Sequence, residues 1–116
     1  MSALDLKATD VARWMAERAI LLIDVREPDE YAAERIHGAL LYPLSTFDPL
    51  ALTVTGQTKI VFHCGTGMRS AKAIAAAQQT GLVIAGHLEG GLKAWKAAGL
   101  PVIALDPASG KPRELH

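Results

Sequence analysis

The sequence predicts an α/β domain, an open and mostly parallel sheet with helices on both faces. Three observations lead there. Short apolar runs of strand length, residues 19–23 and Lys59–His63, alternate with stretches of helical periodicity. The connections between them are brief, which in an alternating chain favours parallel strands with covering helices. Half of the 116 residues are hydrophobic, enough for one core, and the length leaves no room for a second domain. The domain is expected over residues 1–105, with 106–116 as a loose C-terminal tail rich in Pro, Gly, Ser and charge.

The elements follow in order. Leu4–Leu6 reads as a short extended start. Thr9 is placed to cap a helix over residues 10–18, where Val11, Trp14 and Met15 share one face. Residues 19–23 have the length of a buried parallel strand, ending at Asp24. Pro28 suits a first helical turn, with Asp29 and Glu30 where the helix dipole favours acids, and this helix stops before Gly38. Residues 39–42 read as a second strand, and 43–57 as turns with one helical turn at 48–51. Lys59–His63 is the expected central strand. An Ala-rich helix over 70–80 is stopped by Gly81, a strand is expected at 82–85, a helix at 92–98, and a last extended piece at Val102–Leu105.

Charge narrows the partners. Twelve basic and twelve acidic residues are mixed along the chain, so no basic block invites nucleic acid or an anionic membrane. The N-terminus lacks the basic-then-apolar order of a signal peptide, and no apolar run approaches membrane-spanning length, so a cytoplasmic location is expected. One cysteine allows neither an internal disulfide nor a Cys-based zinc site. His37, His87 and His116 are dispersed, and no metal is expected. His63 should point away from Cys64, since neighbours on a strand face opposite ways. Trp14 and Trp95 fall at helical spacing with other apolar residues and read as core.

The chemistry converges on Cys64, which ends a strand and is followed by Gly65, Thr66, Gly67, Met68, Arg69 and Ser70. Two glycines let successive backbone N–H groups turn inward as an anion cup, and the start of a helix adds its partial positive charge. Arg69 closes the loop with a permanent charge, and Met68 sits on the rim. A thiol at the centre of such a cup is expected to ionise readily.

Four stretches, residues 23–27 (Ile-Asp-Val-Arg-Glu), 34–39 (Glu-Arg-Ile-His-Gly-Ala), 64–70 and 88–95 (Leu-Glu-Gly-Gly-Leu-Lys-Ala-Trp), resemble the successive signatures of single-domain rhodaneses, in order. His37 departs from the family's usual proline, in a turn. The resemblance implies a sulfurtransferase needing no cofactor: Cys64 takes sulfane sulfur from a small donor anion such as thiosulfate, holds it as a persulfide against the N–H groups of residues 65–69, and passes it to a thiophilic acceptor, cyanide in assay or a protein thiol. The related dual-specificity phosphatases have one more residue between cysteine and arginine. Phosphate- or arsenate-directed chemistry is therefore the second reading, and a sulfur-carrier module without small-molecule turnover the third. Asp24 and Arg26, at the adjacent strand end, are expected to support the pocket. Asp24 could do so by accepting N–H bonds or pairing Arg69, Arg26 by attracting the anion or pairing an acid.

Overall fold

A computed structural model describes residues 4–52 and 58–115. Residues 53–57 of the expected turn region, and His116, lie outside the described residues. The elements are β1 (Leu4–Leu6), α1 (Ala8–Ala16), β2 (Ile20–Asp24), α2 (Pro28–Ala33), β3 (Glu34–Arg35), β4 (Leu40–Leu41), two single 3-10 turns (Leu44–Thr46 and Pro49–Ala51), β5 (Lys59–His63), α3 (Met68–Gln79), β6 (Ile84–Leu88), α4 (Gly91–Ala97), β7 (Val102–Leu105) and β8 (Pro112–Leu115).

Five strands form one parallel sheet in the order β1-β6-β5-β2-β4, which makes β5 central as its sequence foretold. Alternation along the buried strands feeds two cores. Leu22 and Val61 pack on one side with Val11, Leu88, Leu92 and Trp95, beneath α1 and α4. Ile23, Ile60 and Phe62 pack on the other with Ala73, Ile74 and Ala77 of α3. Helices thus cover both faces, and Cys64 continues the Phe62 side.

Some expectations are corrected. α1 starts two residues early, from Lys7 with no side-chain cap, and Thr9 lies inside the helix. Arg18, at φ 58, ends that region in a left-handed turn. Trp95 is buried, while Trp14 is half-buried with the Arg13 guanidinium over its ring. β6 lies further along than residues 82–85 and includes Gly86. A Cβ there would collide with the Leu4 carbonyl, so glycine is what lets β1 lie against β6. α3 also begins two residues early, so Met68 and Arg69 are helical. Gly67 precedes them at φ 110, a conformation that side chains rarely tolerate. The segment after Asp106, expected to be loose, folds back as exposed β8, antiparallel to β7, in a second sheet of order β3-β7-β8. Among the described residues, no helix is long and apolar enough to cross a membrane.

Candidate active site

β5 delivers Cys64 to the carboxyl edge of the sheet, where open α/β folds place ligands. The side chain is buried, and its sulfur faces the first turn of α3. The Gly67 N–H donates to Sγ at 3.1 Å and the Ser70 N–H at 3.4 Å, while the Ser70 hydroxyl oxygen lies 3.6 Å away. Burial by itself pushes the thiol up. The Ser70 hydroxyl and the N–H groups of Ser70, Gly67 and Thr66 outweigh it and hold the thiol below its ordinary value. The cup lowers the thiol's pKa mainly through neutral dipoles.

The back of the loop is held by α4. The Leu92 N–H donates to the Cys64 carbonyl at 2.8 Å and the Lys93 N–H to the Gly65 carbonyl at 3.1 Å. Gly91, at φ 61, makes this approach possible, since a Cβ would fall on the Cys64 and Gly65 carbonyls. The Gly90-Gly91 pair lies in the signature stretch 88–95, and its role as a backbone approach is visible only in the fold.

Arg69 reaches the cup but is not a free charge there. Its guanidinium donates to both carboxylate oxygens of Glu30, at 2.6 and 3.0 Å. The Arg69 hydrogen bond pulls the Glu30 carboxyl down to about 2 against opposing burial, helped by the Glu27 N–H. In the sequence Glu30 stands out only as an acid at the start of a helix. Its position one turn into α2 could have suggested a partner, but nothing in the sequence says which arginine. Met68 is 74% exposed, and Thr66 is exposed too.

Asp24 and Arg26 are buried and pair with each other, so Asp24 does not take Arg69. Arg26 Nη2 donates to Asp24 Oδ2 at 2.8 Å and to the Glu34 carbonyl at 2.6 Å, and its backbone N–H donates to Asp24 Oδ1 at 2.9 Å. This ties the end of β2 to β3, behind the cup. His63 is fully buried, and its ring reaches the Cys64 carbonyl at 3.3 Å, not the sulfur. Burial pushes its pKa down, against the pull of Asp24, whose Oδ2 lies 3.4 Å from Nε2. His37 is exposed in the turn with Gly38.

His87 is the residue that sequence reasoning missed. Its Nδ1 lies 2.7 Å from Ser70 Oγ and its Nε2 2.6 Å from Asp5 Oδ1. Only the β1–β6 pairing, with Asp5 opposite His87, brings these distant residues together. Among the described residues, no group of three or more His, Cys, Asp or Glu converges as metal ligands would. A shallow depression between α1 and α4, lined by Lys7, Thr9, Glu89 and Ala94, includes no residue of the cup.

The rhodanese-like domain family matches residues 7–98, the span from the start of α1 through α4, with every cup residue inside it. The chain belongs to the rhodanese-like domain family. This rhodanese domain is 42% identical over 81 residues to a Mycobacterium tuberculosis protein named probable adenylyltransferase/sulfurtransferase MoeZ, covering 67% of the chain and 20% of MoeZ. It is 34% identical over 85 residues to an Allochromatium vinosum protein named sulfurtransferase, covering 73% of the chain and 79% of that protein. A solved thiosulfate sulfurtransferase from Pseudomonas aeruginosa superposes with a TM-score of 0.70 at 28% identity, over 87% of the chain and 19% of that structure. The chain spans less than half the length of the first curated relatives it matches.

Proposed function

We propose that this rhodanese domain is a sulfurtransferase that carries sulfane sulfur on Cys64. The observation that carries the reading is the sulfur's position, with the Gly67 and Ser70 N–H groups aimed at it. A thiolate held there attacks the outer sulfur of thiosulfate. The S–S bond of the donor breaks, sulfite leaves with the electron pair, and Cys64 becomes a persulfide. A thiophilic acceptor then attacks the terminal sulfur and the Cys64 thiolate departs, so the chemistry is two displacements through one covalent intermediate. The inward N–H groups support the charge on the persulfide as they support the thiolate. No cofactor enters this scheme. The single cysteine leaves no second thiol in this chain to resolve the persulfide, so an external nucleophile such as cyanide or a protein thiol takes the sulfur. A free thiolate fits a reducing, cytoplasmic compartment.

Similarity to a stretch of MoeZ, whose name includes sulfurtransferase, supports sulfur transfer as the reaction class. The cup argues against phosphate chemistry. Four residues separate Cys64 from Arg69, the donors converge at the sulfur, and Glu30 already occupies the guanidinium.

Intact mass after incubation with thiosulfate tests the reading. The expected result is a gain of one sulfur, lost on adding cyanide and absent in Cys64→Ser. Hydrolysis of aryl phosphates without sulfur uptake would overturn it.

A further inference from the structure

A continuous chain of polar contacts runs from the molecular surface to the buried sulfur: Asp5, His87, Ser70, Cys64. Asp5 sits on edge strand β1 with its side chain 68% exposed, and His87 on β6 is 14% exposed. Ser70, in the first turn of α3, is fully buried. The three contacts measure 2.6, 2.7 and 3.6 Å.

Hydrogen-bond logic restricts what this chain can be. A carboxylate only accepts, so at 2.6 Å the His87 Nε2 carries a proton and donates to Asp5. Nδ1 then has two states. In a neutral ring it accepts, and the Ser70 hydroxyl must donate to it. The one serine proton is then spent, and a thiol on Cys64 can donate to Ser70 Oγ. In a charged ring Nδ1 donates to Ser70, which frees the serine proton for the sulfur, with the Gly67 carbonyl at 3.1 Å the other acceptor in reach. The first state matches a thiol and the second a thiolate. A serine hydroxyl cannot donate to the sulfur while a neutral Nδ1 lies 2.7 Å from its oxygen, since two lone pairs would then face each other.

We propose that Asp5, His87 and Ser70 form a proton relay for Cys64, with His87 as a positioning residue that acts through Ser70. The thiol proton passes to Ser70 Oγ as the serine proton passes to His87 Nδ1. A neutral pair becomes a thiolate and an imidazolium, with no change in total charge and no bond made or broken except those to hydrogen. Asp5 fixes the ring tautomer and supports the imidazolium.

The neighbouring elements leave room for this coupling. His87 is met by Asp5 from β1 and Ser70 from α3, and a Cβ added at Gly67 would lie 3.9 Å from its Cε1. Around Cys64 the other charged or titratable groups are Arg69 with its Glu30 partner on the α2 side, and His63 with the Asp24–Arg26 pair behind. Both acids are paired with arginines and His63 faces the Cys64 carbonyl, so among the described residues the Ser70–His87 contact is the one that meets the sulfur side.

The inference rests on the sulfur-transfer reading for the use made of the thiolate, but its test needs no sulfur donor. The ultraviolet absorbance of the Cys64 thiolate is followed in the intact chain and in His87→Ala, with Cys64→Ser as the blank. Loss of the relay moves the thiol up by about one unit, so the thiolate fraction at neutral pH falls by up to about tenfold. Because His87→Ala could disturb folding, a second arm leaves His87 in place. Nitrogen NMR of its ring, under conditions where Cys64 is a thiolate, is expected to show both nitrogens protonated. In Cys64→Ala, Nδ1 loses its proton, because coupling between two sites is reciprocal. An unchanged thiolate fraction in His87→Ala overturns the relay. So does a His87 ring indifferent to the loss of Cys64, even if the absorbance shifts, because a merely structural histidine would not sense the sulfur. Failure of sulfur uptake with both relay results intact would sink the sulfurtransferase reading instead.

Discussion

Replacing Glu30 with Gln isolates the charge of the pair that holds Arg69. Glutamine keeps a side-chain oxygen able to accept from the Glu27 N–H, now 3.0 Å from Glu30 Oε1, so the start of α2 survives. The carboxyl is held at about 2 against an ordinary 4.5, and the full shift would correspond to a ceiling of about 3 kcal/mol. Both side chains are about a third exposed, at 35% and 36%, and solvent screens such pairs to about 1 kcal/mol. Two strong hydrogen bonds to one guanidinium place the pair at the upper end of that range. Urea midpoints measured at a series of pH values check this. Because the folded carboxyl is depressed, its contribution is complete above 4.5 and fades as pH falls toward 2. Glu30→Gln should therefore be less stable than the parent by about 1 kcal/mol at neutral pH, or about 5 °C in melting temperature. The two curves converge in acid. Equal midpoints at neutral pH, or a gap undiminished at about pH 2, would refute the pair as a stabilising contact.

Three further perturbations probe the cup and its backing. Ser70→Ala removes the strongest of the bonds that lower the thiol, so the ultraviolet thiolate titration should move up by about one unit; an unmoved curve would leave the backbone N–H groups alone responsible. Gly91→Ala puts a methyl group on the Cys64 and Gly65 carbonyls at a positive φ. It should cost about 2–4 kcal/mol in denaturant unfolding, and parental stability would mean that α4 does not press on the loop as described. Burial lowers the His63 pKa, so the unfolded chain takes up a proton there below about 6.5 that the folded chain refuses. Stability should decline below that pH, and the decline should be shallower in His63→Gln; parallel slopes would mean that His63 charges without unfolding.

Local signals made much of this architecture legible. The strand at residues 59–63 and the glycines after Cys64 announce themselves in adjacent residues, because a buried parallel strand is a plain apolar run and a cup needs backbone freedom. What the sequence concealed depends on pairings between distant segments. Glu30 meets Arg69 across 39 positions and Asp5 meets His87 across 82, and no local pattern encodes either. The reach of β6 past residue 85 is hidden for a related reason: only the neighbouring β1 carbonyl explains a glycine inside that strand. Asp24 and Arg26, two apart, could have been matched from the sequence, but strand alternation gives no warning that a long arginine will fold back on its near neighbour.

The two hydrogen bonds from α4 to the Cys64 and Gly65 carbonyls have a consequence for the opposite side of those peptides. A peptide unit is a rigid plate with its carbonyl and its N–H pointing in opposite directions. When Leu92 and Lys93 anchor the two carbonyls outward, the N–H groups of Gly65 and Thr66 are aimed inward by the same act, and the Thr66 N–H is one of those that acidify the sulfur. The aim of the loop is thus set by leverage from a helix more than twenty residues downstream. Transplanted into another scaffold, residues 64–70 would keep their composition and lose their orientation, because the plates would be free to swivel. A working transplant would have to carry the Gly90-Gly91 turn along with the cysteine.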